Sequence, residues 1–180
     1  MRDSLGKVIL DLGCGPYYLP YFKTKIIRLD IRKETNPDII RDVRKGLSLK
    51  SKSVDMVYCS HFLEHFKKTE ILEILKEIHR VIKTQGSLYV TVPNVAWAAM
   101  QISKGIYDDY VNKVLYGAGD YKFNTHQTGF TPNILKKILL ESGFFKFSTT
   151  TQFYNINIIA RKDAKFIAKT IKEFQRKEKT

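Results

Sequence analysis

Val8-Ile9-Leu10-Asp11-Leu12-Gly13-Cys14-Gly15 is an apolar run that closes on an acid and a paired-glycine turn. Apolar on both faces, such a run suits an inner strand of a parallel sheet, and those sheets take ligands beyond the carboxyl ends of their strands. Asp11, Gly13 and Gly15 stand at such a tip, with Leu12 and Cys14 between them as further contacts of a bound cofactor.

The charge at this tip selects among ligands. Gly13-Cys14-Gly15-Pro16-Tyr17-Tyr18 carries the first two glycines of the dinucleotide fingerprint, but the third position is Tyr18, where close packing of helix on strand asks for a small residue. A carboxylate at Asp11 would repel a pyrophosphate and attract a ligand with a cationic end, and S-adenosylmethionine has both a sulfonium and an ammonium. The next apolar run, Lys25 to Asp30, ends in an acid placed to hydrogen-bond a ribose, so Asp30 is the ribose candidate.

From Val8 to Asn94 the chain resembles the class I S-adenosylmethionine-dependent methyltransferases, in the branch called type 11, and within it the small methyltransferases linked with surface-sugar metabolism. The resemblance is carried in order by the glycine turn, Leu29-Asp30-Ile31, Asp42-Val43, Ser53-Val54-Asp55 and Ser60-His61-Phe62-Leu63-Glu64-His65. It continues through Ile78-His79-Arg80-Val81-Ile82-Lys83, then Gly86 and Val92-Pro93-Asn94, with a further match at Asn124-Thr125-His126, Gly129-Phe130-Thr131-Pro132 and Ser142-Gly143-Phe144. It implies an α/β, Rossmann-like sandwich with a mostly parallel seven-stranded sheet whose last strand is antiparallel. It also implies S-adenosyl-L-methionine as cofactor, the Gly13 region at its methionine end, Ile31 beside Asp30, Asp42 and Val43 at the adenine, and Ser60 and His61 beside the transferable methyl.

Composition sets the frame. A chain of 180 residues fits one domain able to bury about 70% of its unfolded surface. Hydrophobic residues at 43% and charged residues at 27% argue against disorder of the whole. Cys14 and Cys59 lack metal-ligand spacing, which points to reduced thiols in a cytoplasmic protein and makes zinc improbable. There is neither a signal-peptide core nor an apolar run near the ~20 residues of a membrane span. The net charge of +13 favours acidic company: an anionic small-molecule acceptor, or nucleic acid. Residues 161–180 hold eight Lys or Arg against three acids, with Phe166, Ile167, Thr170, Ile171 and Phe174 at helical spacing, so a basic C-terminal helix or tail is expected after a methyltransferase domain over 1–160.

The patterning predicts strands at 7–11, 25–30, near 38–42, 54–59, 87–92, 144–150 and 154–160, the last two as a hairpin. Ile71, Leu75, Ile78 and Ile82 predict a helix over 69–83 with Gly86 as its exit, and Thr131-Pro132 starts a helix that ends at Gly143. About six residues separate the second strand from the third, too few for a full crossover helix, so the early helices are expected to be shortened, with a short helical piece at 16–22. Trp97 to Phe130 reads as a long loop, and the resemblance at Asn124-Thr125-His126 implies that it folds over the acceptor.

His61 and His126 are the candidate catalytic residues, since an imidazole titrates near neutrality and can take a proton from a hydroxyl acceptor. Glu64 and His65 read as a helix start and its packing, and His79 as a surface residue. Tyr17, Tyr18, Tyr21 and Phe22 are expected to pack the trimmed helix and wall the pocket. Cys59-Ser60-His61-Phe62 stands where an exocyclic-amine methyltransferase carries Asn or Asp, Pro-Pro and an aromatic, which disfavours that chemistry. The expected reaction is methylation of a small-molecule or sugar-type acceptor, at oxygen. The alternatives are an RNA methyltransferase using the basic surface and a non-catalytic binding module on the same fold.

Overall fold

The computed structural model describes residues 6–19 and 24–162. Seven strands, β1 (Val8–Leu12), β2 (Lys25–Asp30), β3 (Ile39–Ile40), β4 (Val54–Ser60), β5 (Ile82–Pro93), β6 (Phe145–Gln152) and β7 (Asn155–Arg161), form one sheet in the order β3-β2-β1-β4-β5-β7-β6. Pairings from β3 to β5 are parallel, and β7 runs antiparallel to both of its neighbours. The expected architecture is thus present, with β7 as the reversed strand. The chain reverses direction across the sheet beside β1, because β1 pairs with both β2 and β4, and this opens a crevice at the strand tips.

Helix α1 (Lys68–Val81) buries Ile71, Ile74, Leu75, Ile78 and Val81 against the sheet, and Glu70 accepts the Lys67 backbone N–H at 2.9 Å to close its first turn. Helix α4 (Pro132–Glu141) begins at Thr131, whose hydroxyl accepts the Ile134 N–H at 3.3 Å, and Pro132 sits where no N–H is needed. Gly143, at φ +86°, ends it. Leu10, Leu12, Val57, Cys59, Leu88, Val90 and Val92 from the inner strands meet these helices in one wholly buried core.

The shortened crossovers are real. Single 3-10 turns at Lys33–Thr35 and Val43–Lys45 stand where longer folds place helices, and the described residues 16–19 form none. Two expectations change. Gly86 lies inside β5, at an irregularity opposite Val54 and Met56, where a Cβ would meet the Asp55 carbonyl oxygen at 2.7 Å; close backbone approach, rather than a helix exit, explains it. The segment from Trp97 to Phe130 is not a bare loop: α2 (Val95–Ser103) and α3 (Asp109–Tyr116) pack around Ala98, Val111 and Val114 as a small second cluster. Asp108 and Asn94 side chains cap the two helices, a signal short enough to be lost among the surrounding Tyr, Gly and Asp. The basic segment from residue 163 onward lies outside the described residues, as do Tyr21 and Phe22.

Candidate active site

The glycine turn after β1 is held against β2 rather than by its own side chains. Gly13 and Cys14 N–H groups both donate to the Leu29 carbonyl, at 2.8 and 3.2 Å, and Gly15 N–H donates to the Asp30 carboxylate at 2.9 Å. Gly13 and Gly15 take φ of +68° and +56°, a region that L side chains avoid. A Cβ on Gly13 would stand 2.2 Å from the Phe62 ring, so the backbone approach admits only glycine. Underneath, the buried Arg28 guanidinium donates to the carbonyls of Gly15 (2.7 Å) and Asn36 (2.8 Å) and lies 4.0 Å from the Tyr18 ring centre. Arg28 was passed over in the sequence because a cation inside an apolar run carries no motif.

Asp11 lies below the turn, 4% exposed. Burial pushes its carboxyl up to about 6, with Asp30 adding to the rise and the Arg28 charge opposing it. Asp30, 5% exposed, also accepts the Arg32 backbone N–H at 2.9 Å, and the Arg32 guanidinium lies 3.3 Å from it and 4.3 Å over the Tyr121 ring. Asp42 caps the 3-10 turn at Val43–Lys45 and is gripped by Arg44, which holds its carboxyl below the ordinary range.

A cleft of about 770 Å³, open mouth included, runs along these strand tips. Gly13, Asp30, Ile31, Asp42, Val43 and His61 line it, together with Phe62, Tyr121 and Phe123. Leu12 is buried wholly in the core, Cys14 is buried, and Asp11, Gly15 and Ser60 stand outside the lining. The Cys59 thiol, wholly buried, is pushed well up by burial and is inert packing. Tyr17 and Tyr18, 83% and 68% exposed, do not wall this cleft, contrary to expectation: the chain turns their rings toward solvent and, for Tyr18, onto the Arg28 guanidinium.

A second cleft adjoins the first and is built from α3, the 117–126 segment and the turn after β4. Tyr110, Tyr121 and Tyr154 supply aromatic walls, with Lys113 and Asn124 as polar groups. His61 lines both clefts. It sits at φ +48°, a costly conformation for a residue with a Cβ, and its Nδ1 lies 3.3 Å from Oε1 of Glu64.

Glu64 departs most from expectation. It is 1% exposed, and neither carboxylate oxygen has a hydrogen-bond partner. Its backbone carbonyl accepts Gln127 and Thr128 N–H groups at 2.7 and 3.2 Å, while Gln127 Nε2 and Thr128 Oγ1 donate to the carbonyls of His65 and Phe66, both at 2.7 Å. These bonds fasten the 125–128 segment to the turn at Leu63–His65 and bring His126 beside His65, their ring centres 5.3 Å apart. His126 is thereby half-buried, and burial lowers its pKa against the opposing pull of Glu64. His79, expected at the surface, is half-buried too: it stacks edge-on to Phe144 at 5.4 Å beside Gly143, and burial lowers its pKa.

Residues 10–90 match the family model described as "Methyltransferase domain". The whole fold is similar to an S-adenosylmethionine-dependent methyltransferase from Archaeoglobus fulgidus (TM-score 0.63, 18% identity, 86% of this chain and 85% of that one). It is also similar to one from Methanosarcina mazei (TM-score 0.67, 21% identity, 89% and 94%). A third, the Burkholderia thailandensis 1,6-didemethyltoxoflavin-N1-methyltransferase solved with its substrate and S-adenosylhomocysteine, gives a TM-score of 0.59 at 14% identity over 87% and 71%. No curated protein matches the chain. Residues 10–90 thus carry the methyltransferase-domain match, and the chain shares the fold of these S-adenosylmethionine-dependent methyltransferases. The cleft suits S-adenosylmethionine: a buried acid lies beneath bare backbone, and Asp30 accepts two backbone N–H groups and the Arg32 guanidinium, whose departure would free lone pairs for a diol.

Proposed function

We propose that the protein methylates an oxygen of a small, anionic, sugar-type acceptor seated in the second cleft, working in the cytoplasm. The observation that carries this reading is His61, which lines both clefts with His65 and Tyr121 and alone of these three is held in a strained conformation, against a buried carboxylate. Aromatic walls beside Lys113 and Asn124 suit a sugar ring, whose C–H faces pack on π surfaces while its hydroxyls and acid group take polar partners.

When bound, S-adenosylmethionine would supply a methyl group on a good leaving group, passed to the acceptor oxygen with the electron pair of the broken carbon–sulfur bond kept by sulfur. Asp30 would hold the ribose, with Ile31 beside it, after Arg32 swings off the carboxylate. Asp42 and Val43 would meet the adenine; Asp11, Leu12, Gly13, Cys14 and Gly15 would set the charge and shape of the methionine end, and Ser60 would flank the methyl. His61 takes the acceptor's hydroxyl proton, with Glu64 favouring the imidazolium that results, and His126 borders the acceptor from the opposite strap. Aligning nucleophile and carbon and excluding water is the larger share of the work.

Calorimetry with S-adenosylmethionine, followed by methyl transfer assayed on panels of uronic acids, sugar phosphates and neutral sugars, tests the proposal. Preference for the anionic sugars supports it. Failure to bind the cofactor, or turnover confined to amines, overturns it. The charge of +13 favours RNA as the second reading; affinity for RNA that falls steeply with salt would select it.

A further inference from the structure

We propose that Glu64, His65 and His126 form a binding site for one divalent transition-metal cation of the zinc, cobalt or iron(II) kind, at the floor of the second cleft. One ligand atom from each of the three lies within 4.8 Å of the others. Two ligands at about 2.1 Å from one tetrahedral ion stand ~3.4 Å apart, so the widest pair must close by up to about 1.4 Å, within reach of side-chain rotation.

Three further observations point to a cation. Glu64 presents two buried carboxylate oxygens that receive no hydrogen bond, and an anion so placed is stabilised by a positive charge. His61, its one ionic neighbour among the described residues, reaches Oε1 alone, at 3.3 Å. Both imidazoles have one nitrogen held by the backbone: His65 Nδ1 faces the Thr125 carbonyl and His126 Nδ1 the Val114 carbonyl, each at 3.2 Å. A carbonyl only accepts, so each Nδ1 carries the proton and each Nε2 keeps its lone pair, the arrangement that outer-shell hydrogen bonds give to metal-bound histidines. The donor set of two imidazoles and one carboxylate is that of catalytic zinc and non-haem iron sites, which leave positions open for substrate. Here the open side faces the cleft lined by Lys113, Asn124 and Tyr154.

The cysteines directed attention away from metals, since Cys14 and Cys59 lack ligand spacing. These ligands come instead from two segments far apart in sequence, joined by the hydrogen bonds of Gln127, Thr128 and the His65 ring. Binding itself does not depend on the acceptor proposed above. A role in methyl transfer does rest on that reading: the cation would fix the acceptor oxygen and ease loss of its proton.

The test is a cobalt(II) titration of the chelator-treated full chain, read by visible absorption, with zinc(II) calorimetry alongside. One cation per chain with a ligand-field spectrum unlike that of aqueous cobalt is expected, and Glu64→Gln, His65→Ala and His126→Ala should each weaken binding about 10- to 100-fold or more. Unchanged circular dichroism establishes that a variant is folded, and where an alanine variant fails to fold, His65→Gln and the wild-type spectrum decide. No stoichiometric uptake, an aqueous-like spectrum, or equal affinity in the folded variants overturns the site. Heat with S-adenosylmethionine but none with metal sinks this proposal alone; the reverse sinks the function proposed above.

Discussion

His61 Nδ1 lies 3.3 Å from Oε1 of Glu64, a carboxylate that is 1% exposed and receives no hydrogen bond. A charge buried this way costs stability, and proteins keep such costs where they serve a function. Glu64→Gln removes the charge and keeps the shape. The expected outcome is a fall in turnover of about 100-fold with S-adenosylmethionine affinity unchanged, together with a thermal midpoint that holds or rises by a few degrees. Steady-state kinetics and a melting curve on the same preparation check it; lowered stability with intact turnover would assign Glu64 to packing alone.

Cofactor binding and proton removal should separate by residue. Asp30 organises Gly15 and Arg32 and is the proposed partner of the ribose, so Asp30→Ala should weaken S-adenosylmethionine binding by about 100-fold or more. His61→Ala and His126→Ala should leave that affinity within a few-fold and reduce turnover. Calorimetry beside single-turnover assays makes the comparison, and equal loss of affinity in all three variants would defeat the division.

The Asp11 carboxyl gives a pH signature of known sign. Its native value of about 6 stands above the ordinary 3.8, with Arg28 and Asp30 as its charged neighbours. Between those two values the folded chain holds a proton that the unfolded chain has released, so Asp11's contribution to stability falls as pH rises from about 4 to about 6, by at most about 3 kcal/mol, and is level above. Attraction for a cationic cofactor runs the other way, because the negative charge is complete only above about 6. Affinity should drop about tenfold between pH 7.5 and pH 5, and Asp11→Asn should flatten that slope. A wild-type affinity independent of pH over this range would remove Asp11 from the binding site.

Gly13→Ala carries two penalties, a φ of +68° and a Cβ 2.2 Å from the Phe62 ring. Strain of about 1–3 kcal/mol is expected from the backbone alone, and the displaced ring intrudes on the cleft it lines. Denaturant melts should show the destabilisation, and cofactor affinity should fall further than the equally strained but roomier Gly15→Ala, whose nearest neighbour is the flexible Arg32 guanidinium at 3.6 Å. Equal affinities in the two variants would mean that Phe62 yields freely.

Much of this was legible in the chain itself. The apolar run from Val8, the paired glycines at the tip of β1 and the period of Ile71, Leu75 and Ile78 determined the sheet, the turn beside the strand-tip cleft and α1, because each depends on neighbours a few residues away. Gly86 was misread because its need for glycine comes from the Asp55 carbonyl across the sheet. Only the tertiary structure decided that Arg28 sits beneath the glycine turn, and that Glu64, an ordinary acid in a short turn, is sealed from water beside His61, His65 and His126. Burial and cross-chain hydrogen bonding are properties of packed surfaces; no periodicity along the sequence announces which acid will be deprived of solvent, and the second cleft is built from those deprivations.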